Sequence, residues 1–486
     1  YDYRINMGTA KLWAQNEWTF NEVDFYYALQ LTYSSMQRTT NMINGRAWYL
    51  SQLNPQYASR YLGTQADEII ARANAGTLKA GTTYMGRAHH FIDPAFKLGA
   101  IYKIDGRNKL KINALAETRA PLARNAYISQ RVHDRAIGTI YTHDNAQSLK
   151  DFYAASEKVA GGDLSYEFNF PIVRGRITGF FTQFWDGSEL NGYYDDEART
   201  FVNQALTGIN RRHMGIEAAA AVKLGTYFTL TGAASVGDYR YTSNAMAVTS
   251  AENGMALAED KDGKSVFELQ DEVLLKGIRV ATGPQVNASL KLSFFHPKMW
   301  FADVTVSYYD WNFLDVAPSR RMKGLYTGVR ADGTPVNGWY GDSYANAIET
   351  TDGKTAMITG DGSFPTNAVL DKNGVPVLRY PYNILSMQES LAATNPLNRF
   401  IIDASVGKLV YLKNRQSLSI NLTVTNLTNN THFKTGGYQQ ARLPRYTRQG
   451  VGENENSVIS PNAWKFPSKY YYAWGMNFFL NITYKF

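Results

Sequence analysis

Arginine and aromatic side chains have the most chemical reach in this chain. Arg211, Arg212 and His213 follow one another near the top of a strand, and Arg320 and Arg321 stand after another. Arg442, Arg445 and Arg448 recur at every third position of the last long connection. Guanidinium groups grip phosphate and carboxylate through paired, charge-assisted hydrogen bonds. Pointing inward, such a set makes a basic funnel for an anionic solute. Pointing outward, it holds lipopolysaccharide phosphates. Pairing with loop carboxylates is the plainer alternative. Trp185, Tyr193, Tyr194, Trp339 and Tyr340 crown the connections, where rings stack on sugar or peptide, anchor an interface or pack a loop. The candidate substrate-binding set is Trp185, Tyr193, Tyr194, Arg211, Arg212, Trp339 and Tyr340.

Other constellations are weaker. His89 and His90 are adjacent, so in an extended segment they point apart, and Asp93 is the carboxylate near them. Asp195-Asp196-Glu197 lacks the alternating spacing of a calcium loop and reads as a solvated loop tip. Ala258 to Gly263 mixes both charge signs and ends in glycine, which reads as a polar turn. The glycines from Gly81 to Gly86 follow no phosphate-loop pattern. No catalytic set, cofactor site or metal site is expected, and the chain is not read as an enzyme.

These groups must be positioned by strands. The last thirteen residues put Trp474, Met476, Phe478, Leu480, Ile482, Tyr484 and Phe486 on every second position, with Gly475, Asn477, Asn481, Thr483 and Lys485 between. A period of two sends the first set to one face of a strand and the second to the other. A final strand that is apolar outside, polar inside and closes a barrel in lipid fits that pattern. The same alternation recurs at Leu164/Tyr166/Phe168/Phe170, Met214/Ile216/Ala218/Ala220/Val222, Val286/Ala288/Leu290/Leu292/Phe294, Trp300/Ala302/Val304/Val306/Tyr308 and Leu418/Ile420/Leu422/Val424.

Thirteen strands are predicted, over 3–20, 22–37, 92–104, 108–120, 156–170, 173–186, 205–224, 226–241, 283–296, 299–313, 398–412, 416–430 and 469–486. Tight turns join them in pairs at Phe20-Asn21-Glu22, Asp105 to Asn108, Phe170-Pro171-Ile172, Leu224-Gly225-Thr226, His296-Pro297-Lys298 and Lys413-Asn414-Arg415. Long connections near 38–91, 121–155, 187–204, 242–282, 314–397 and 433–468 separate the pairs. Two short helices are expected at 54–63 and 64–76, and a small hairpin around Val369 to Leu378 with its turn at Asn373-Gly374. Short turns alternating with long loops match an outer-membrane barrel, with turns at the periplasm and loops outside. Counting back from a last strand that runs downward places Tyr1 outside. An odd count with an external start departs from the even rule of single-chain barrels. Residues 1–486 are therefore expected to be the C-terminal portion of one larger barrel domain.

Composition agrees. There are 33 Tyr, 24 Phe and 9 Trp, enough rings to serve two membrane interfaces. No run of 18 apolar residues occurs, so no transmembrane helix is predicted. A mean hydropathy of −0.35 is what alternating strands give. The net charge of +8 is scattered along the chain, which points to anionic lipid or solute and against nucleic acid. No cysteine is present, which suits an exported protein. The opening residues do not read as a secretory leader, so a leader is expected to have been removed or to lie upstream.

Several segments resemble the Bacteroidetes branch of the TonB-dependent outer-membrane transporters. They are Glu157-Lys-Val-Ala-Gly-Gly-Asp-Leu-Ser-Tyr-Glu-Phe, Asn210-Arg-Arg-His-Met-Gly-Ile-Glu, Pro318-Ser-Arg-Arg-Met, Asn421-Leu-Thr-Val-Thr-Asn-Leu-Thr-Asn and Phe466-Pro-Ser-Lys-Tyr-Tyr-Tyr-Ala-Trp-Gly. The resemblance implies an all-β fold, a transmembrane antiparallel β-barrel, of which this chain is the C-terminal part of 22 strands around a plugged lumen. It implies active, TonB-dependent uptake of a solute larger than a bare ion, such as a siderophore, glycan or peptide. A passive porin or a barrel scaffold of a surface complex is the alternative. The implied partners are outer-membrane lipid and lipopolysaccharide, the missing N-terminal strands and plug, TonB through that plug, and a surface lipoprotein. Facing the lumen should be Ser165, Glu167, Asn169, Glu217, Lys223, Asn287, Lys291, Asp303, Asn421 and Asn481.

Overall fold

The computed structural model describes residues 3–40, 84–85, 88–126, 156–195, 200–252, 257–259, 265–266, 268–324, 347–352, 355–357, 363–370, 374, 376, 388–441 and 468–486. Alternating apolar and polar residues form thirteen long strands in one antiparallel wall. They are β1 (Tyr3–Thr19), β2 (Val23–Thr40), β3 (His89–Lys103), β4 (Asn108–Arg119), β5 (Glu157–Asn169), β6 (Val173–Asp195) and β7 (Thr200–Leu224). The wall continues with β8 (Phe228–Tyr241), β9 (Val286–His296), β10 (Trp300–Asp310), β11 (Phe400–Tyr411), β12 (Ser417–Thr425) and β13 (Asn477–Lys485). Each strand pairs with the next in sequence, so the predicted count and order hold. Among the described residues β1 pairs along its length with β2 alone and β13 with β12 alone, so both outer edges are open.

The short turns close locally. Phe20 N–H donates to Val23 O at 2.9 Å and Phe170 N–H to Val173 O at 2.8 Å. The Asp105 carboxylate accepts from the N–H groups of Arg107 at 2.7 Å and Asn108 at 2.8 Å. Gly225 takes φ +70°, a conformation that side chains with a Cβ disfavour. All of these turns lie at one edge of the wall.

The two faces differ as the alternation requires. Leu290, Val306 and Ile402 sit in register on one face, beside Leu292, Val304 and Ala404. Leu290 is 50% exposed and Ile216 60% exposed, although both lie mid-strand in a continuous sheet. Water would not leave that area uncovered, whereas acyl chains cover it. Rings flank this apolar face near the short turns: Trp18 stacks on Phe25, Phe228 lies beside Phe294, and Tyr166, Phe168 and Phe170 form a row. A second ring level carries Tyr33 with His90, Trp185, and Tyr308 with Phe400. The levels are eight residues apart on β2, from Phe25 to Tyr33, and on β10, from Trp300 to Tyr308. At a tilt near 45° that spans roughly 19 Å, within the apolar band of about 25 Å typical of a bacterial barrel.

The opposite face is stitched by polar side chains. Asp303 takes hydrogen bonds from Ser293 at 2.6 Å and Ser405 at 3.3 Å and pairs with Lys291 at 3.0 Å. Lys111 pairs with Glu167 at 2.7 Å, Ser165 bonds Thr178 at 2.8 Å, and Asn113 links Tyr26 to Asp163. This is the predicted lumen face. The Phe301 ring covers Gly407, where an added Cβ would meet both that ring and the Ile420 carbonyl oxygen.

The compact apolar core is not in the wall but above it. In the segment 187–204, expected as a loop, the described residues 187–195 and 200–204 instead continue the β6–β7 hairpin, offset by irregular register between Phe184 and Glu189. Strands Ala245–Ala251 and Glu268–Val273, inside the expected 242–282 loop, extend the upper half of β7 sideways. Leu206, Ile209, Ala245, Ala247, Val273, Leu275, Ile278, Val316 and Met322 close this layer. Burying them against one another explains why the hairpin stays ordered beyond the apolar band.

The last strand is shorter than expected. Trp474 and Met476 lie in an irregular link between Lys469–Tyr472 and β13, and Trp474 is 86% exposed. Asparagine side chains replace strand pairing there: Asn426 Nδ2 donates to Trp474 O at 2.7 Å, and Met476 N–H donates to Asn429 Oδ1 at 2.9 Å. Phe478, Leu480, Ile482 and Tyr484 keep the outward face in β13, and Phe486 follows with its ring 6.3 Å from that of Tyr484. The hairpin expected near Asn373-Gly374 is represented by a bridge between Leu370 and Pro376 and by Gly374 at φ +77°. The helices expected at 54–63 and 64–76 lie outside the described residues.

Candidate functional site

Adjacent residues of a strand point to opposite faces, and this divides the predicted arginine cluster. Arg211 belongs to the lumen face. Its guanidinium lies 3.2 Å from Glu157 and 3.8 Å from Glu189, over the Phe184 ring. Arg119 binds the same Glu157 from β4. His213, two residues down β7, packs 4.7 Å from Tyr239 and 5.1 Å from Phe184. Phe180 completes the patch at 6.4 Å from Tyr239. The buried Nε2 of His213 and Nε of Arg211 have no hydrogen-bond partner among the described residues. Two guanidiniums, two carboxylates and four rings therefore line the upper lumen wall, with polar atoms to spare.

Arg212 faces outward. It opposes Arg240 in register, and its Nη2 stands 3.5 Å from Asp238. Trp185 is also outward, opposite Lys158, whose ammonium pairs with Asp186 at 2.6 Å. Leu12, Leu29, Leu31, Phe96, Ala160 and Trp185 help line an open groove of about 960 Å³ on this apolar side. That position suits a lipid chain and not a polar solute.

The remaining predicted residues scatter. Tyr193 is buried with Val202 and Ala251 inside the upper layer. Tyr194 meets Phe201 edge-on at 5.4 Å. Arg320 and Arg321 are buried at a short 3₁₀ turn, Pro318–Arg320. Trp339, Tyr340, Arg442, Arg445 and Arg448 lie outside the described residues. His89 and His90 point apart as expected, with His90 Nδ1 2.7 Å from the Tyr33 hydroxyl. Among the described residues no group of three or more His, Asp or Glu is placed to hold a metal. The aromatic patch of Phe180, Phe184, His213 and Tyr239 was missed from sequence, because its members come from three strands. Lumen parity counted from Glu217 was the signal that would have found it.

No family model matches this chain, and no curated protein matches it in sequence. Solved structures do. It is similar to the copper transporter OprC at 11% identity and a TM-score of 0.47, over 98% of this chain and 47% of that one. It is similar to the ferric yersiniabactin uptake receptor FyuA from Yersinia pestis at 10% identity and a TM-score of 0.48, over 100% and 46%. The outer membrane transporter YddB from Escherichia coli matches at 9% identity and a TM-score of 0.40, over 99% and 54%. The chain spans about half the length of these structures. In fold it is the wall of a transmembrane β-barrel, and the solved structures it resembles are transporters and uptake receptors.

Proposed function

We propose that the chain is the C-terminal barrel portion of an outer-membrane active transporter that takes up a solute larger than a bare ion with energy delivered by TonB. The wall itself carries this reading: strands apolar outside and polar inside, short turns at one edge, and a packed β layer at the other. The open edges of β1 and β13 support a larger barrel, since each leaves a row of backbone donors and acceptors unpaired. In lipid every such group costs several kcal/mol, so further strands close the wall, and a plug fills the lumen. The lumen patch of Arg119, Arg211, Glu157, Glu189, Phe184, His213 and Tyr239 contacts the solute. Its charges balance, which favours a polar, ring-bearing solute over a simple anion. Trp185, Tyr193 and Tyr194 serve the wall and upper layer in this reading. A surface lipoprotein would cover the same upper layer.

The test is depletion of a mixture of siderophores, glycans and peptides by cells with and without the full-length protein, followed by mass spectrometry. Protein-dependent depletion that stops when the proton gradient is dissipated supports active uptake. Protein-dependent entry that continues after dissipation replaces it with a passive porin. No depletion of any component leaves the barrel as a scaffold.

A further inference from the structure

One cluster on the outward face has a charge the wall does not need. Asp238 stands two residues above Val236, on the same outward face and at the upper margin of the apolar band. Three guanidiniums converge on this one carboxylate. Arg240 Nε donates to Asp238 Oδ1 at 2.6 Å, Arg279 Nη1 lies 3.2 Å from the same oxygen, and Arg212 Nη2 lies 3.5 Å from Oδ2. The local excess is two positive charges.

The group is also held in place. Arg279 Nη1 donates to Gln285 Oε1 at 2.7 Å, and Gln285 is 1% exposed. The Arg279 guanidinium lies 5.0 Å from the Trp311 ring centre and 4.8 Å from that of Phe313. Its backbone N–H donates to Gln388 Oε1 at 2.8 Å. Arg212 and Arg240 remain more than a third exposed, and the buried Nε of Arg212 has no partner among the described residues. Other outward ion pairs at this level, Lys158 with Asp186 and Arg399 with Asp310, match one cation to one anion. A preorganised guanidinium fork with donors left over is the chemistry that recognises a phosphate monoester or diester. Its height and its face put that phosphate among lipid headgroups.

We propose that Arg212, Arg240 and Arg279 form a binding site for the phosphate of an outer-leaflet lipid headgroup, with Trp311 at its margin and the acyl chains descending over Val236 and Ile216. The proposal rests on the membrane reading of the wall, but not on the identity of any transported solute.

The experiment uses the full-length protein, folded in detergent micelles doped with lipid A. Retained lipid phosphorus per protein is measured after gel filtration. Arg240→Gln combined with Arg279→Gln should lower retention at least about tenfold, since charge-assisted bonds to two guanidiniums are lost. Arg399→Gln, which removes an outward cation already matched by Asp310, should not. Asp238→Asn removes the competing carboxylate and keeps all three guanidiniums, so it should raise retention; this arm stands even where the double variant fails to fold. Inorganic phosphate at tens of millimolar should leave retention unchanged. Equal retention by the wild type, the double variant and Asp238→Asn overturns the site. Displacement by inorganic phosphate overturns the lipid assignment and makes it a free-anion site. A protein that never enters a bilayer, yet retains the lipid through these arginines, refutes the membrane reading alone.

Discussion

Leu290→Arg is the sharpest probe of the wall. Leu290 lies six positions above His296 on β9, between Gly232 and Val306 in register. At a rise of roughly 2.3 Å per tilted residue it stands roughly 14 Å up a band about 25 Å tall, which is its middle. A guanidinium there costs about 2–4 kcal/mol, a factor of roughly 30 to 700 in the folding equilibrium. Ser289 is one residue away, at the same depth but on the lumen face, where it meets Ser307 at 3.4 Å. Ser289→Arg should cost less than about 1 kcal/mol. Val236 pairs with Val286, ten positions above His296 and near the upper margin, so Val236→Arg should also cost about 0–1 kcal/mol. The assay is urea unfolding of the full-length protein from phospholipid vesicles, followed by tryptophan fluorescence and by the heat-dependent gel shift of folded barrels. Equal costs at Leu290 and Ser289 would refute the assignment of faces. Equal costs at Leu290 and Val236 would refute the placement of the band.

Asn426 holds three backbone groups from one buried position: its Nδ2 donates to Asn430 O and Trp474 O, and its Oδ1 accepts from Asn430 N–H. Asn426→Ala should destabilise by about 3 kcal/mol in the same unfolding assay, and the link at 473–476 should lose protection from hydrogen exchange. Gly407→Ala should cost about 1–3 kcal/mol in that assay, because its methyl meets both the Phe301 ring and the Ile420 carbonyl oxygen, and Phe301→Ala in the same chain should leave the backbone part of that loss in place. In the upper layer, Glu272 accepts from Lys323 at 2.9 Å and Asn244 at 2.7 Å, and these bonds, the Lys323 one foremost, hold its carboxyl below the usual glutamate range. Its contribution is therefore complete above the unfolded value, about 4.3, and is lost as pH falls through the folded one. Hydrogen exchange at the Lys323 amide, which donates to the Glu272 carbonyl, should lose protection on acidification through that window in the wild type, but show no such step in Glu272→Gln.

The wall was legible because the strand period is two and the solvent on each side differs. Leu290 and Lys291, or Phe478 and Asn481, reveal their faces through residue type alone, and tight turns such as Asp105 to Asn108 fix which strands pair. Thirteen strands and their order followed from these local signals. The upper layer was not legible. Val202 and Ala247 read as loop residues until a second strand covers them, since their burial depends on pairs more than 40 residues apart. Nor could sequence place the arginines. Arg211 and Arg212 look like one cluster when written in a line, but the pleat sends one to the lumen and the other to the lipid. The partners that define each site, Glu157 for Arg211 and Asp238 with Arg279 for Arg212, come from other strands and loops. Sequence determined the period, hence the faces and the neighbours along the chain. The tertiary structure decided which distant charges meet, because only register across strands brings them within hydrogen-bond reach.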